Sequence, residues 1–426
     1  MAKTRTIKEI KQKIDKNTAV VITAQEFLDK IAEGEKIEFE DVDVITTATK
    51  GLMSGIAGIF SFRLAEPKKY RKFKEITLNG IPGYVGPCPN EFLGVIDVIV
   101  YSTTHSKTRT NYTGGFLFRD LVENKPIEMK AETEEGVVIE KTLSLKEMQF
   151  ARLMGTRQAI KNYSAMMNPT KDYVETIFSA LKFEPNNSQL TFSGCGALNP
   201  LQNDPNFETI GVGTPVLVNG SIGYVMGPGT RNYILKPNLM TIADFEGMKP
   251  EYMGAFMTSY GPEPICSIAV AFPILNEKIL NTMVKSDKDV PLQILNLVGR
   301  EKMGEITYGD VWDNNFLITF DPKKCINCET CPVETDCPTH AFTVEKGIDK
   351  TRCYNCGACI QMCPENAFIG DLKRIKFEGK EVPVVLRQSD RFGAIKLAEE
   401  LKSLILKGEF PLKESIAKIK FYQYKI

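Results

Sequence analysis

Eight cysteines lie between positions 325 and 363, and their spacing suits metal chemistry. They form two runs, Cys325-x2-Cys328-x2-Cys331-x5-Cys337-Pro338 and Cys353-x2-Cys356-x2-Cys359-x3-Cys363-Pro364. Thiolates at such short spacing wrap one loop around an iron–sulfur cubane, and the cysteine before proline crosses to the other cluster. The pattern predicts two 4Fe-4S clusters with exchanged fourth ligands. Cys325, Cys328, Cys331 and Cys363 would hold the first, and Cys353, Cys356, Cys359 and Cys337 the second. The x5 spacer, where x3 is usual, is a bulge that leaves three ligands untouched but could shift Cys337 or expose the second cluster. Zinc ribbons or free thiols are one plain alternative, and purely structural clusters another. Clusters that carry electrons imply a donor or acceptor protein as partner.

The three remaining cysteines differ in promise. Cys195 lies between Gly194 and Gly196 in SGCGALNP, where backbone can approach a ligand and nearby amides can lower a thiol pKa. It reads either as a catalytic or metal-binding thiol or as one that fits a tight turn. Cys88, between two prolines, reads as a packed turn with a ligand role as the alternative. Cys266, in the apolar run PICSIAV, reads as core.

His105, the only histidine outside the cysteine-rich stretch, lies in STTHSKTRTNYTGG and suits a catalytic role and a plain polar loop equally. Lys107, Arg109 and Arg231 are candidates for holding an acidic group of a small-molecule substrate. Gly51 and Ser54, in TATKGLMSGIAG, complete that set with amide and hydroxyl donors. No G-x-x-x-x-G-K-[ST] is present, and GVGTP does not match the dinucleotide fingerprint, so neither ATP nor NAD is expected.

The elements that must position these groups are readable in part. The start of the chain reads as helices, with Ile7, Ile10 and Ile14 on one face, a capping box at Thr23 and Glu26, and a stop at Gly34. Residues 42–47 and 92–101 read as strands, and PIEMKAETEEGVVIEKTL as a hairpin. Helical spacing of apolar residues predicts a helix over 145–167, and a second over 171–182. The glycine-rich stretch 190–230 has the make-up of functional loops on a rigid scaffold. KFEGKEVPVVL reads as another hairpin. Ala394, Leu397, Ala398, Leu401 and Ile405 form an apolar helix face ended by Gly408.

Composition narrows the class. A chain of 426 residues with 43% hydrophobic content can bury sizeable cores. Its 53 basic and 53 acidic residues cancel, which implies neither nucleic acid nor an anionic membrane as partner. MAKTRTIKEIKQKIDK has no apolar core, and no apolar run approaches the ~20 residues of a membrane span, so a cytoplasmic protein is expected. Cysteines crowded into one stretch point to metal in a reducing compartment. A homo-oligomer is compatible with all of this.

A hairpin and an apolar-faced helix that follow a self-contained cluster module need a surface to pack on. The expected fold class is therefore α+β: a large mixed α/β domain with an inserted ferredoxin-like domain carrying two 4Fe-4S clusters. The divisions are 1–320 for the first segment of the large domain, 321–371 for the insertion, and 372–426 for a C-terminal segment packing back.

Four segments carry a family resemblance: TTATKGLMSG (46–55), YTGGFLFRDLVENKPIEM (112–129), NPLQNDPNFETIGVGTPVLVNGSIGYV (199–225) and VPVVLRQSDRFGAIKLAEELKSLILKGEF (382–410). They resemble the homocysteine biosynthesis, or sulfur-incorporation, family over roughly residues 10–320 and 372–415. With the inserted module, the arrangement looks like the methanogenesis marker 16 metalloproteins. The resemblance implies a methanogen protein related to enzymes that place sulfide sulfur onto aspartate semialdehyde. Those relatives carry one cysteine where this chain has Met53-Ser54 and another after a YGGG-like segment, yet this chain has none between Cys88 and Cys195. Either Cys195 carries the sulfur or the chain has left that reaction. The leading expectation is an iron–sulfur enzyme of sulfur metabolism, and the rival is a non-enzymatic electron-transfer or cofactor-maturation protein.

Overall fold

A computed structural model describes residues 3–86, 91–283, 285–312 and 317–422. Its organising element is the strand Val44–Leu52, in which every residue but the last is buried. The strand runs antiparallel to Gly261–Pro273 in unbroken register from Val44↔Pro273 to Leu52↔Ile265. The helix Arg391–Leu406 covers it, burying the face predicted from Ala394, Leu397, Ala398, Leu401 and Ile405. Asp390 caps that helix by accepting from the Gly393 amide, and the Thr46 hydroxyl donates to the Ala398 carbonyl at 2.9 Å.

From this centre a fourteen-stranded mixed sheet spreads through Pro215–Val218, Ser221–Pro228, Leu239–Asp244, Phe150–Gln158, Ile56–Arg63 and Val95–Tyr101 to the predicted hairpin Ile127–Thr133/Val138–Leu143. A second, six-stranded sheet runs in the order Lys302–Thr307, Pro291–Asn296, Ala165–Met167, Leu190–Phe192, Lys380–Arg387 and Arg374–Phe377.

The two helices expected over 145–167 and 171–182 are not formed. The first stretch holds the strands Phe150–Gln158 and Ala165–Met167. In FARLMGTRQ the buried residues Ala151, Leu153 and Gly155 alternate, and the strand is laddered on both sides, by Leu239–Asp244 and Ile56–Arg63. That two-sided pairing overrides a spacing that also fits a helix. In the second stretch Asn168 accepts from the Thr170 amide and hydroxyl and donates to the Asp172 carbonyl. These local bonds offer the backbone an alternative to a helix.

The strand Thr319–Phe320 pairs antiparallel with Phe368–Ile369. Between them lie a small hairpin, Phe342–Thr343/Gly347–Ile348, and two short helices, Pro332–Asp336 and Ala358–Met362. Phe320, Phe342 and Phe368 pack together, with ring centroids 4.8–5.1 Å apart, and join the core of the six-stranded sheet. The following strand, Lys380–Arg387, runs parallel to Leu190–Phe192 from far earlier in the chain.

Candidate active site

A cavity of about 270 Å³ opens where the two sheets meet. The end of the strand Val44–Leu52 supplies Gly51 and Leu52, the turn after it supplies Ser54, and the glycine-rich loop supplies Ser193 and Gly194. Arg157, Arg231, Glu263, Arg300, Gln388 and Ser389 complete the polar lining, and Tyr163 and Phe178 provide an aromatic wall. Those two rings stack with centroids 6.0 Å apart and planes within 4°.

The Gly194 loop is held from several sides. The Gly194 amide donates to Ser389 Oγ at 2.8 Å, the Tyr308 hydroxyl donates to the Ser193 carbonyl at 2.6 Å, and Trp312 Nε1 donates to the Gly194 carbonyl at 3.0 Å. Gly194 has a left-handed φ of 122°, and a Cβ there would collide with the Tyr308 hydroxyl. Only glycine suits both demands.

Cys195 does not face the cavity. It is fully buried behind the wall, with Thr49 Oγ1 at 3.5 Å and the Lys50 carbonyl at 3.8 Å from its sulfur. Burial pushes its pKa up, so it stays a neutral thiol at neutral pH. Lys50 beside it forms a buried ion pair with Asp390 at 2.7 Å. Of the residues singled out from sequence, the fold brings Gly51, Ser54 and Arg231 together in this cavity.

His105, Lys107 and Arg109 do not line it. His105 bridges to Thr113, the Lys107 amide donates to the Gly80 carbonyl, and Arg109 pairs with Glu128 at 3.0 Å on the surface. Cys266 is core, as its apolar setting predicted, and burial pushes its thiol up to about 12. Cys88 lies outside the described residues.

Sequence reasoning missed Arg157, Glu263, Arg300, Gln388 and Ser389. Arg157 closes a stretch misread as helix, and the others sit in segments with no spacing signal. Glu263 is buried and accepts from Ser54 Oγ at 2.6 Å; burial raises its pKa and favours the neutral acid. Burial and the neighbouring Arg231 hold Arg157 below its ordinary value, and its Nε is buried without a hydrogen-bond partner. Just behind Tyr163, burial pulls Lys236 down to about 8, with Lys161 and Arg157 adding to the effect.

Cys325, Cys328, Cys331 and Cys363 line one small cavity together with Phe320, Phe342 and Phe368. Cys337 instead acts electrostatically on Cys353, Cys356 and Cys359. The thiols thus sort into two sets with the prolyl cysteines exchanged. This second set borders the large cavity: the Arg387 amide donates to the Cys356 carbonyl at 2.9 Å, and the Tyr354 hydroxyl to the Gln388 carbonyl at 2.8 Å.

A model of the family described as homocysteine biosynthesis enzyme, sulfur-incorporation, matches residues 19–412. An uncharacterized protein of Methanothermobacter thermautotrophicus is 42% identical over 407 residues, 95% of this chain and 94% of that protein. L-aspartate semialdehyde sulfurtransferase of Methanocaldococcus jannaschii is 32% identical over 305 residues, 68% of this chain and 58% of that protein. A dihydromethanopterin reductase (acceptor) of Methanosarcina mazei is 43% identical over 54 residues, 12% of this chain and 23% of that protein. No solved structure matches.

Proposed function

Because the chain belongs to the homocysteine biosynthesis enzyme, sulfur-incorporation, family, we propose that it places sulfur on a small acidic aldehyde in the large cavity, with electrons from two 4Fe-4S clusters. The observation that carries this reading is the junction between Cys356 and Tyr354 on one side and Arg387 and Gln388 on the other, where one backbone hydrogen bond and one from the Tyr354 hydroxyl join the second thiol set to the segment that forms the cavity wall.

The donor set fits two clusters. All eight thiols would belong to an inserted ferredoxin-like unit, with the exchanged ligation that the spacing implies. Among the described residues no three His, Cys, Asp or Glu side chains converge on one metal ion. A cubane asks for something different, one thiolate at each of four irons. When bound, the clusters would supply electrons one at a time from a protein donor.

Turning an aldehyde and hydrogen sulfide into a thiol and water takes two electrons and two protons. A carbon–sulfur bond and a carbon–hydrogen bond form at the carbonyl carbon, the latter taking up the two electrons and a proton, and the carbonyl oxygen leaves as water. The arginines hold the acidic end of the substrate. Glu263, favoured as the neutral acid, stands to protonate the departing oxygen. Cys195, neutral and behind the wall, supports the loop, and sulfide comes from solution or a donor. That placement favours a supporting role over the sulfur-carrier role first expected of Cys195.

The test uses anaerobic, cluster-replete protein with sulfide, a low-potential reductant and a panel of acidic aldehydes that includes aspartate semialdehyde and glyceraldehyde 3-phosphate. Mass spectrometry should find a thiol product from at least one of them, absent when the clusters are removed. No thiol from any would sink the reading in favour of a purely electron-carrying or maturation role.

A further inference from the structure

Five arginines elsewhere in this protein are matched by carboxylates: Arg5 by Asp43, Arg71 by Glu91, Arg119 by Glu123, Arg152 by Asp244 and Arg391 by Asp287. The three that line the large cavity are not. Among the described residues, Arg157, Arg231 and Arg300 form no ion pair. Arg300 instead lies over the Phe178 ring at 4.5 Å and reaches the Met166 sulfur.

Arg231 disfavours the charge of Arg157, and Lys161 and Arg157 disfavour that of Lys236 just behind. The cavity lining thus sets three cations against one carboxylate, and an anion that binds between them offsets the excess charge. The carboxylate within reach is Glu263. It is engaged by Ser54, with burial raising its pKa and Arg157 opposing that rise, and as a single carboxylate it cannot match three guanidiniums.

We propose that the group seated between these arginines carries at least two negative charges, a phosphate ester or a dicarboxylate, and that the substrate bears no ammonium group. This deepens the sulfur-incorporation reading and rests on the same cavity. It places the substrate in a different charge class from aspartate semialdehyde, which pairs one carboxylate with one ammonium. Two guanidiniums can each give paired N–H bonds to a multi-oxygen dianion, whereas the ammonium of a zwitterion would add a fourth cation beside a single carboxylate.

Isothermal titration of the cluster-loaded protein with inorganic phosphate, succinate, acetate and L-homoserine tests this directly. Phosphate or succinate is expected to bind at least tenfold more tightly than acetate, and L-homoserine more weakly than either. Arg157→Gln and Arg231→Gln should each weaken the dianion at least tenfold with cluster absorbance unchanged, and Arg157→Lys should recover part of the loss.

Acetate or L-homoserine binding as well as the dianions would overturn the proposal, as would arginine variants that bind all four probes like wild type. The thiol assay keeps the two readings apart. Dianion binding without thiol from any aldehyde would defeat only sulfur incorporation. Thiol from aspartate semialdehyde, with no preference for dianions, would defeat only the charge assignment.

Discussion

The Tyr354 hydroxyl donates to the Gln388 carbonyl at 2.8 Å, joining the residue after Cys353 to a residue of the cavity wall 34 positions later. Tyr354 is buried, with Phe256 packed edge-on against its ring at 5.5 Å. The loop that carries Cys353 and Cys356 and the wall of the cavity are therefore one packed unit.

Tyr354→Phe keeps the ring and removes this bond, while the Gln388 carbonyl keeps the Leu52 amide as a donor. The expected loss is about 0.5–1.5 kcal/mol in denaturant unfolding, with iron content retained. An unchanged unfolding midpoint would show that the junction does not hold the two parts together.

Exchanged ligation makes the prolyl cysteines separable probes. Cys363→Ala should disturb the cluster of Cys325, Cys328 and Cys331, and Cys337→Ala that of Cys353, Cys356 and Cys359. Each variant should fall from roughly eight irons per chain toward roughly four. EPR spectra showing the same cluster lost in both would refute the exchange.

Cys195 should resist iodoacetamide in the folded protein and react once the protein is unfolded, because the thiol is buried and its pKa is pushed up. Cys195→Ala should reduce stability yet keep most of the turnover. Abolished turnover in a folded, cluster-replete variant would instead make Cys195 the sulfur carrier.

Glu263 gives a pH signature. Burial raises its folded pKa above the unfolded value, so the folded state binds more protons there, and stability falls as pH rises from the unfolded pKa to the folded one. Glu263→Gln should remove that part of the decline. As a proton donor Glu263 should also lose activity as pH rises through its folded pKa, and the Gln variant should be slow with a flattened profile. A wild-type limb preserved in Glu263→Gln would exclude it as the acid.

Lys50 and Asp390 form a pair with side chains 7% and 3% exposed, and Lys50 also donates to the Glu251 carbonyl. Lys50→Met leaves the Asp390 charge buried alone and should cost about 3–5 kcal/mol. The double change Lys50→Met with Asp390→Asn should cost clearly less than the sum of the single changes, as a double-mutant cycle in urea would show.

The sequence by itself determined the parts whose physics is local. Cluster ligation depends on cysteines a few residues apart, so spacing alone is enough to propose the two ligand sets. The helix Arg391–Leu406 and the hairpin Ile127–Thr133/Val138–Leu143 were legible as well, since period and turn are written into adjacent residues. The tertiary structure decided what depends on distant partners. FARLMGTRQ became a strand because Leu239–Asp244 and Ile56–Arg63 ladder it on both sides. That choice put Arg157 at the cavity beside Arg231, while His105 and Arg109 went elsewhere. Cys195 looked reactive between its glycines, yet the Val44–Leu52 strand buries it behind Thr49 and Lys50. A side chain's type is in the sequence, but its charge state and reach depend on which remote segments exclude water from it.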